Sequence, residues 1–371
     1  MTVSMPSSAS VQRFAIPPGT RVLTTYPVAL SPSLEAITEL VPAPSGRKSD
    51  WQGRGSGPIV KRLKTLWRSW RLFKLAAGYS AVITTGDLEG LALGALFRLV
   101  GRRAPVHVMY DCLWYGGGRL RRAWMRFCLR GVDRCIVWAS VEQERYAQAY
   151  GVDRKKFEFV PHHHTLKHYT WESGDDGYIF TGGHADRDFA PFFTAVRDLD
   201  LPCVLATNQA RLLDGLSVPS HVRVVSVSPA EFRHLMARAR IVVMPMRATL
   251  LHAGAQQSIL NAMLMGKPVV LTDPEGGADY IETGKSGILA PYGDAEALRD
   301  SIRYLWDHPA EAKAMGSRAQ EAASSLTVER CNSTMWKIAL ELVQAKRELA
   351  RVRAADEGAA REGSSLRIGS L

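Results

Sequence analysis

The sequence predicts an α/β protein of two domains, each built around a parallel sheet. Three observations carry this. Short apolar runs of the kind that fill interior parallel strands recur along the chain and alternate with stretches of helical period. The chain has 371 residues, long for one domain and comfortable for two. Several runs end in small or acidic residues (Gly182-Gly183, Asp87, Asp111), the carboxyl ends at which open α/β sheets bind ligands. The 46% hydrophobic and 22% charged fractions are those of an ordinary globular protein. No apolar run reaches the roughly 18 residues that cross a bilayer. Residues 1–17 are rich in Ser and Pro without a long apolar core, so no secretory leader is expected. The cysteines (Cys112, Cys128, Cys135, Cys203, Cys331) have no CxxC spacing and read as buried free thiols in a reducing compartment.

Residues 21–25 form the first expected strand, and residues 43–58, rich in Pro, Gly, Ser and charge, an expected mobile loop. Residues 61–74 (KRLKTLWRSWRLFK) make a basic amphipathic helix with Leu63, Leu66, Trp67, Trp70 and Phe73 near one face. Residues 119–130 repeat the pattern with Leu120, Ala123, Trp124, Phe127 and Cys128. Two readings stand side by side: core-facing helices with solvated basic faces, or attachment to an anionic bilayer through Trp67, Trp70 and Arg68. The net charge of +11 favours an anionic partner. No aromatic RNA-binding signature or zinc spacing points to nucleic acid, and none is expected as a partner.

Strands are expected at 81–85 and 106–110. The first leads to Asp87 and Glu89, and Asp87 is also placed to cap a helix beginning at Leu88. The second leads to Asp111. A strand at 134–138, a helix at 141–150 and a strand at 157–160 follow. His162-His163-His164 on extended chain point to alternating sides with no partner cluster, so no metal site is expected. After a linker at 171–177, strands at 178–181, 203–207, 222–225, 241–244 and 268–272 alternate with helices near 189–198, 230–239 and 256–265. Helices at 295–306, 310–323 and 328–343 follow, and the tail from about 347 is expected to fray.

The densest stretch is 253–291. Ala253-Gly254-Ala255 lets backbone approach a ligand closely, and the helix opening after it presents unpaired amides that attract phosphate. Ile259, Leu260, Met263 and Leu264 share one helical face, Gly266 ends the helix, and 268–272 is an interior strand.

Within this stretch the chain resembles the family 4-like (group 1) GT-B glycosyltransferases. Met263 and Gly266 through Val270 match the "AMxxGKPVV" signature, and Gly284 through Pro291 the "dGxxGxLvp" turn, with Gly293, Asp294 and Leu298 continuing it. The resemblance covers most of residues 175–325. It implies two Rossmann-like domains facing a cleft: an acceptor domain at 18–168, a nucleotide-sugar donor domain at 175–325, and a helix at 326–345 crossing back, before a tail at 346–371. It implies metal- and cofactor-free glycosyl transfer from a nucleotide-diphosphate donor to a saccharide or lipid-linked saccharide. The basic amphipathic helices add the expectation of surface polysaccharide or glycolipid synthesis, by a protein in the cytoplasm or peripheral on the inner face of the plasma membrane.

The implied donor contacts are Gly182, Gly183, Arg187, Arg247, Ala253, Gly254, Gln256, Gln257, Ser258 and Asn261. The implied acceptor acid/base groups are Asp111 and Asp87, with Glu89 beside them. Lys267 reads as structural. The chain departs from the pattern where typical members carry two Glu: Ala253 and Asn261 stand there. Gly254, Gln256 or Gln257, and Ser258 resemble a "GQ(S/T)xL" variant of that loop. The missing acids motivate an alternative, a non-catalytic GT-B protein that binds a nucleotide or partner.

Overall fold

Strand formation follows the apolar runs. In the computed structural model, which describes residues 16–26, 29–41, 58–101, 104–248 and 251–368, the first half runs β1 (Val22–Thr24), α1 (Pro32–Glu35), β2 (Thr38–Leu40), α2 (Pro58–Ala76), β3 (Ala81–Thr85), α3 (Leu88–Val100), β4 (Val106–Tyr110), α4 (Arg119–Leu129), β5 (Arg134–Val137), α5 (Val141–Tyr150) and β6 (Phe157–Phe159). The second half runs β7 (Ile179–Gly182), α6 (Phe189–Arg197), β8 (Cys203–Ala206), β9 (Val222–Val225), α7 (Pro229–Arg238), β10 (Ile241–Met244), α8 (Gln256–Leu264), β11 (Val269–Leu271), α9 (Pro274–Gly277), β12 (Ile288–Leu289), α10 (Ala295–Asp307), α11 (Pro309–Ser324) and α12 (Val328–Ile368). The segment read for a leader and the loop expected at 43–58 lie, but for their last residues, outside the described set. Helix α12 continues through the stretch where fraying is expected.

The strands form two six-stranded sheets, in the orders β2-β1-β3-β4-β5-β6 and β12-β11-β10-β7-β8-β9. Parallel registers join β2-β1-β3-β4-β5 and every neighbouring pair of the second sheet. The fold is α/β and GT-B-like in its strand plan, as the sequence leads one to expect.

By contacts the chain divides into two units. Among the described residues, one comprises those within 11–112, 119–136 and 332–371; the other comprises those within 113–118 and 137–331. In the first, Leu23, Leu72, Ala76, Val82, Leu93 and Phe97 form a core cluster. Trp336 of α12 is fully buried and its Nε1 donates to Thr38 Oγ1 at 2.9 Å, while Arg347 Nη1 donates to the Pro18 carbonyl at 2.9 Å. In the second unit, α8, β10 and β11 supply Ile259, Leu260, Met263, Val242 and Leu271 to one core cluster, and α6 and α10 supply Phe192, Val196, Leu298 and Ile302 to another.

The helix layer of the first unit corrects the core-facing reading of the two basic helices. Right-handed crossovers from β2 to β3, β3 to β4 and β4 to β5 put α2, α3 and α4 on one face of the sheet. Helix α3 lies between the others and is buried along nearly its whole length. Helix α2 turns Ser69, Leu72 and Ala76 inward and leaves Leu63, Leu66, Trp67 and Trp70 exposed. Ser69 Oγ donates to the Glu89 carbonyl of α3 at 3.2 Å, so the helices approach closely at that point. Helix α4 behaves alike, burying Met125, Cys128 and Leu129 and exposing Leu120 and Trp124. A Cβ on Gly94 of α3 would lie 2.8 Å from the Cys128 carbonyl, which explains the glycine there. Arg68, expected to meet a membrane, instead turns toward α3, where its Nε pairs with Glu89 Oε2 at 2.7 Å.

Candidate functional site

In the second sheet the chain leaves β7 toward β8 and β9 on one side, while β10, β11 and β12 extend the other. The order therefore reverses between β7 and β10. At such a switch point the loops beyond the strands part and leave a crevice for a ligand. The loops concerned are 183–188 after β7 and 245–255 after β10.

These loops are zipped together by backbone. Arg187 and Met246 form an antiparallel bridge, Asp188 N donates to the Pro245 carbonyl at 3.0 Å, and Arg247 N donates to the Asp186 carbonyl at 2.8 Å. Gly182 is required here, since a Cβ would lie 2.5 Å from the Ala206 carbonyl. Gly183 has φ +94°, the left-handed half of the map that glycine enters freely. Gly254 is packed by Met246, whose Cε would be 2.4 Å from an added Cβ.

Arg187 is the centre of this arrangement. Its side chain is buried, with Nε donating to the Gly182 carbonyl at 2.8 Å and Nη1 to the Ala185 carbonyl at 3.1 Å and Met246 Sδ at 2.7 Å. Nη2 reaches Met244 Sδ at 3.5 Å and Ser258 Oγ at 3.3 Å. None of these five acceptors is a carboxylate. Burial lowers its pKa to about 10, with Asp186 acting in the opposite sense, so the guanidinium is charged at neutral pH. Ser258 lies in the first turn of α8, and that helix has no side-chain cap at its N-terminus. A buried cation thus sits beside uncapped amides; its five N–H groups are engaged within the protein, so what it offers an anion at those amides is its charge.

The other expected donor residues fall as follows. Ala253 donates its amide to Glu142 Oε1 at 2.7 Å. Gln256 is buried, while the Gln257 and Arg247 side chains are exposed. Asn261 accepts the Thr165 amide at 2.9 Å and donates to Thr165 Oγ1 at 2.9 Å, so its side chain serves the segment after β6. Lys267 is structural: its Nζ donates to the Ala239 carbonyl at 2.9 Å and to the Gly174 carbonyl, and burial lowers its pKa to about 8. His162 packs on Trp138 with ring centroids 4.6 Å apart.

Ala255, which precedes α8, has φ +69°. A Cβ-bearing residue is strained there, so Ala255→Gly is expected to raise unfolding free energy by about 0.5–1 kcal/mol after the added chain entropy is subtracted. A higher urea midpoint at unchanged slope is the check.

In the first unit, Asp87 Oδ1 accepts from Glu89 N at 2.9 Å and Gly90 N at 3.3 Å, capping α3; burial raises its pKa. Burial likewise raises Glu89 to about 7 against the pull of Arg68. Asp111 is exposed at the carboxyl end of β4 with φ +55°. Such a conformation is uncommon outside glycine and concentrates at functional positions.

Three residues absent from the sequence-based set contact these loops. His252 is buried, and its Nε2 lies 2.8 Å from Asp186 Oδ2; Asp186, at φ +53°, also accepts from Tyr115 Oη at 3.4 Å. The hydrogen bond from His252 is the main cause of the lowered Asp186 pKa. Glu142 is the third. In sequence a Glu in a helix reads as a solvated charge, and no local signal marks it as buried.

Two family descriptions match the chain: "Glycosyl transferases group 1" over residues 175–308 and "Glycosyl transferase 4-like domain" over residues 9–163. Among solved structures, sucrose-phosphate synthase from Thermosynechococcus elongatus superposes with TM-score 0.64 at 16% identity, over 90% of this chain and all of that one. HepE of Anabaena in complex with UDP and glucose superposes with TM-score 0.62 at 15% identity, over 87% and 99%. The D-rhamnosyltransferase WbpZ of Pseudomonas aeruginosa is 34% identical over 64 residues, which is 17% of each chain. The matched segment thus spans under a fifth of that curated relative's length. With two matched domain descriptions over two parallel-sheet α/β halves, the chain belongs to the group 1 GT-B glycosyltransferases.

Proposed function

We propose that the protein moves a sugar from a nucleoside-diphosphate donor to a saccharide or lipid-linked saccharide acceptor, in surface polysaccharide or glycolipid synthesis. The observation that carries this reading is Arg187, a buried guanidinium without a carboxylate acceptor, beside the uncapped start of α8. The acceptor oxygen forms a bond to the anomeric carbon as the bond from that carbon to the β-phosphate oxygen breaks. The nucleoside diphosphate leaves with the electron pair, and Arg187 with the α8 amides neutralises the developing charge in place of a metal. Asp111 takes the acceptor proton; Asp87 is the lesser candidate because Oδ1 already caps α3. Gly182, Gly183 and Gly254 let these loops pack closely on Ala206, Arg187 and Met246. That the HepE complex contains UDP and glucose, and that WbpZ is a rhamnosyltransferase, supports a nucleotide-activated hexose.

The test is a thermal-shift screen with UDP, GDP and ADP and their sugars. One base is expected to raise Tm by several degrees at concentrations far above Kd. If no nucleotide raises Tm and no sugar is transferred or hydrolysed, the reading fails and the non-catalytic alternative replaces it.

The acceptor reading extends to a surface. Trp67 is 58%, Trp70 45% and Trp124 44% exposed, and Leu63, Leu66 and Leu120 are exposed with them. Neither α2 nor α4 contains an acidic residue, and Arg62, Lys64, Arg71, Lys74, Arg121 and Arg122 are exposed on the same helices. Charge complementarity selects one occupant, an anionic bilayer. Among the described residues no helix is long and apolar enough to cross a membrane; attachment is by the face of the helix layer, at the cytoplasmic side.

A further inference from the structure

We propose that Glu142 is a positioning residue for the donor loop: it holds the Ala253 amide from a separate element and so fixes the presentation of Gly254 and the start of α8. The inference rests on the donor reading above. The Glu142 side chain is buried, and its carboxylate accepts three backbone amides: Ala253 N on Oε1 at 2.7 Å, and Trp138 N at 2.9 Å and Ala139 N at 3.1 Å on Oε2. One carboxylate thereby ties the start of α5 to the middle of the 245–255 loop. The element that carries it is itself held. Ser140 N donates to Asp279 Oδ2 at 2.6 Å, Tyr280 Oη donates to the Trp138 carbonyl, and Arg145 pairs with Glu275.

The loop needs such a brace because little within it supplies one. Its residues 253–255 are Ala, Gly and Ala, and α8 has no capping side chain. Ala255 is in the left-handed region, which persists only when the surroundings impose it. The Ala253 amide that Glu142 engages lies 111 residues away from it in sequence. Next to this contact, His252 and Asp186 join the same loop to the one that carries Arg187. Burial lifts the Glu142 pKa to about 7 although all three amides and His252 favour the charged form, the pattern of a carboxylate kept dry to do a structural task at a site.

The experiment compares wild type with Glu142→Gln and Glu142→Asp. Glutamine has one acceptor oxygen, and its amide nitrogen must face at least one of the three donors. Aspartate keeps the charge but is one methylene short of the span. Two readouts are used: hydrogen–deuterium exchange of the peptide covering 251–256, and the affinity for UDP, GDP and ADP by calorimetry. Both variants are expected to exchange at least about tenfold faster in that peptide, with α8 beyond its first turn unchanged. The nucleotide that binds wild type is expected to bind at least about tenfold more weakly to both. Exchange unchanged in both variants overturns the brace. Faster exchange with unaltered nucleotide affinity overturns the positioning role. If wild type binds none of the three nucleotides, the donor reading falls with the positioning role, and exchange alone then decides whether the brace exists. If Glu142→Gln does not fold, Glu142→Asp decides both readouts.

Discussion

Arg187→Met is expected to lower kcat/KM for glycosyl transfer by about 100-fold or more, a loss of roughly 3 kcal/mol of transition-state stabilisation, while Tm stays the same or rises. The two halves of this result separate a binding residue from a structural one. A buried side chain that serves the core destabilises the protein when it is removed. Arg187 is buried but donates to two carbonyls, two thioether sulfurs and one hydroxyl, none of them charged. Its pKa, lowered to about 10 by burial, means that the folded state disfavours the charged form, so the charge costs stability at every pH below that value. Replacing it by an apolar side chain of similar length removes the cost and keeps contacts with Met244 and Met246. What is lost is the positive charge beside Ser258 and the amides of α8, which a departing diphosphate needs. Steady-state kinetics with the donor found by thermal shift, together with the melting temperature of the variant, decide it. A large fall in Tm at unchanged kcat/KM would show Arg187 to be a core residue.

Much of this architecture is legible in the chain itself, and the limits have identifiable causes. Strands β3, β4, β9 and β10 fall on the expected residues because each is an apolar run bounded by a turn or a charge. Strand β2 is missed: it is a three-residue edge strand, Thr38–Leu40, without a buried residue, and two-residue β12 is too short to show a period. Helices α2 and α4 are found, but several large apolar residues of their expected faces, Leu66, Trp67, Trp70 and Trp124 among them, turn outward, while Phe73 and Phe127 are half-buried and Cys128 is buried as expected. Periodicity identifies an apolar stripe, whereas contact with α3 and the sheet decides which of its residues turn inward. Arg68 belongs to that tertiary context, since its partner Glu89 lies on another helix. At the site, Gly182, Arg187 and Ser258 are legible because strand ends and a helix start are local features. Glu142 and the His252–Asp186 pair are not, because their meaning lies in contacts made only when distant loops meet.

The outward-turned residues carry the second large effect. Wild type is expected to co-sediment with vesicles of 30% phosphatidylglycerol in phosphatidylcholine at low salt, a composition chosen on the order of native anionic surfaces. The triple variant Trp67→Ser, Trp70→Ser, Trp124→Ser is expected to partition about 100-fold less, since each indole entering the headgroup region contributes on the order of 1 kcal/mol. The side chains are exposed, so their loss leaves Tm within a degree or two of wild type. Arg71 over the Trp67 ring at 4.9 Å and Lys74 near the Trp70 ring at 5.5 Å keep cationic groups beside the indoles, where lipid phosphates would meet them. Each adds about 1 kcal/mol near an anionic surface, and salt screens this part of the attraction. Raising the ionic strength should therefore weaken wild-type binding, and pure phosphatidylcholine should bind poorly. Arg68→Ala is the internal control. Because Arg68 pairs with buried Glu89 at 2.7 Å, its loss lowers Tm and leaves partitioning nearly unchanged. Equal sedimentation of the triple variant and wild type, or no preference for anionic over neutral vesicles, would show that this face meets something other than a bilayer.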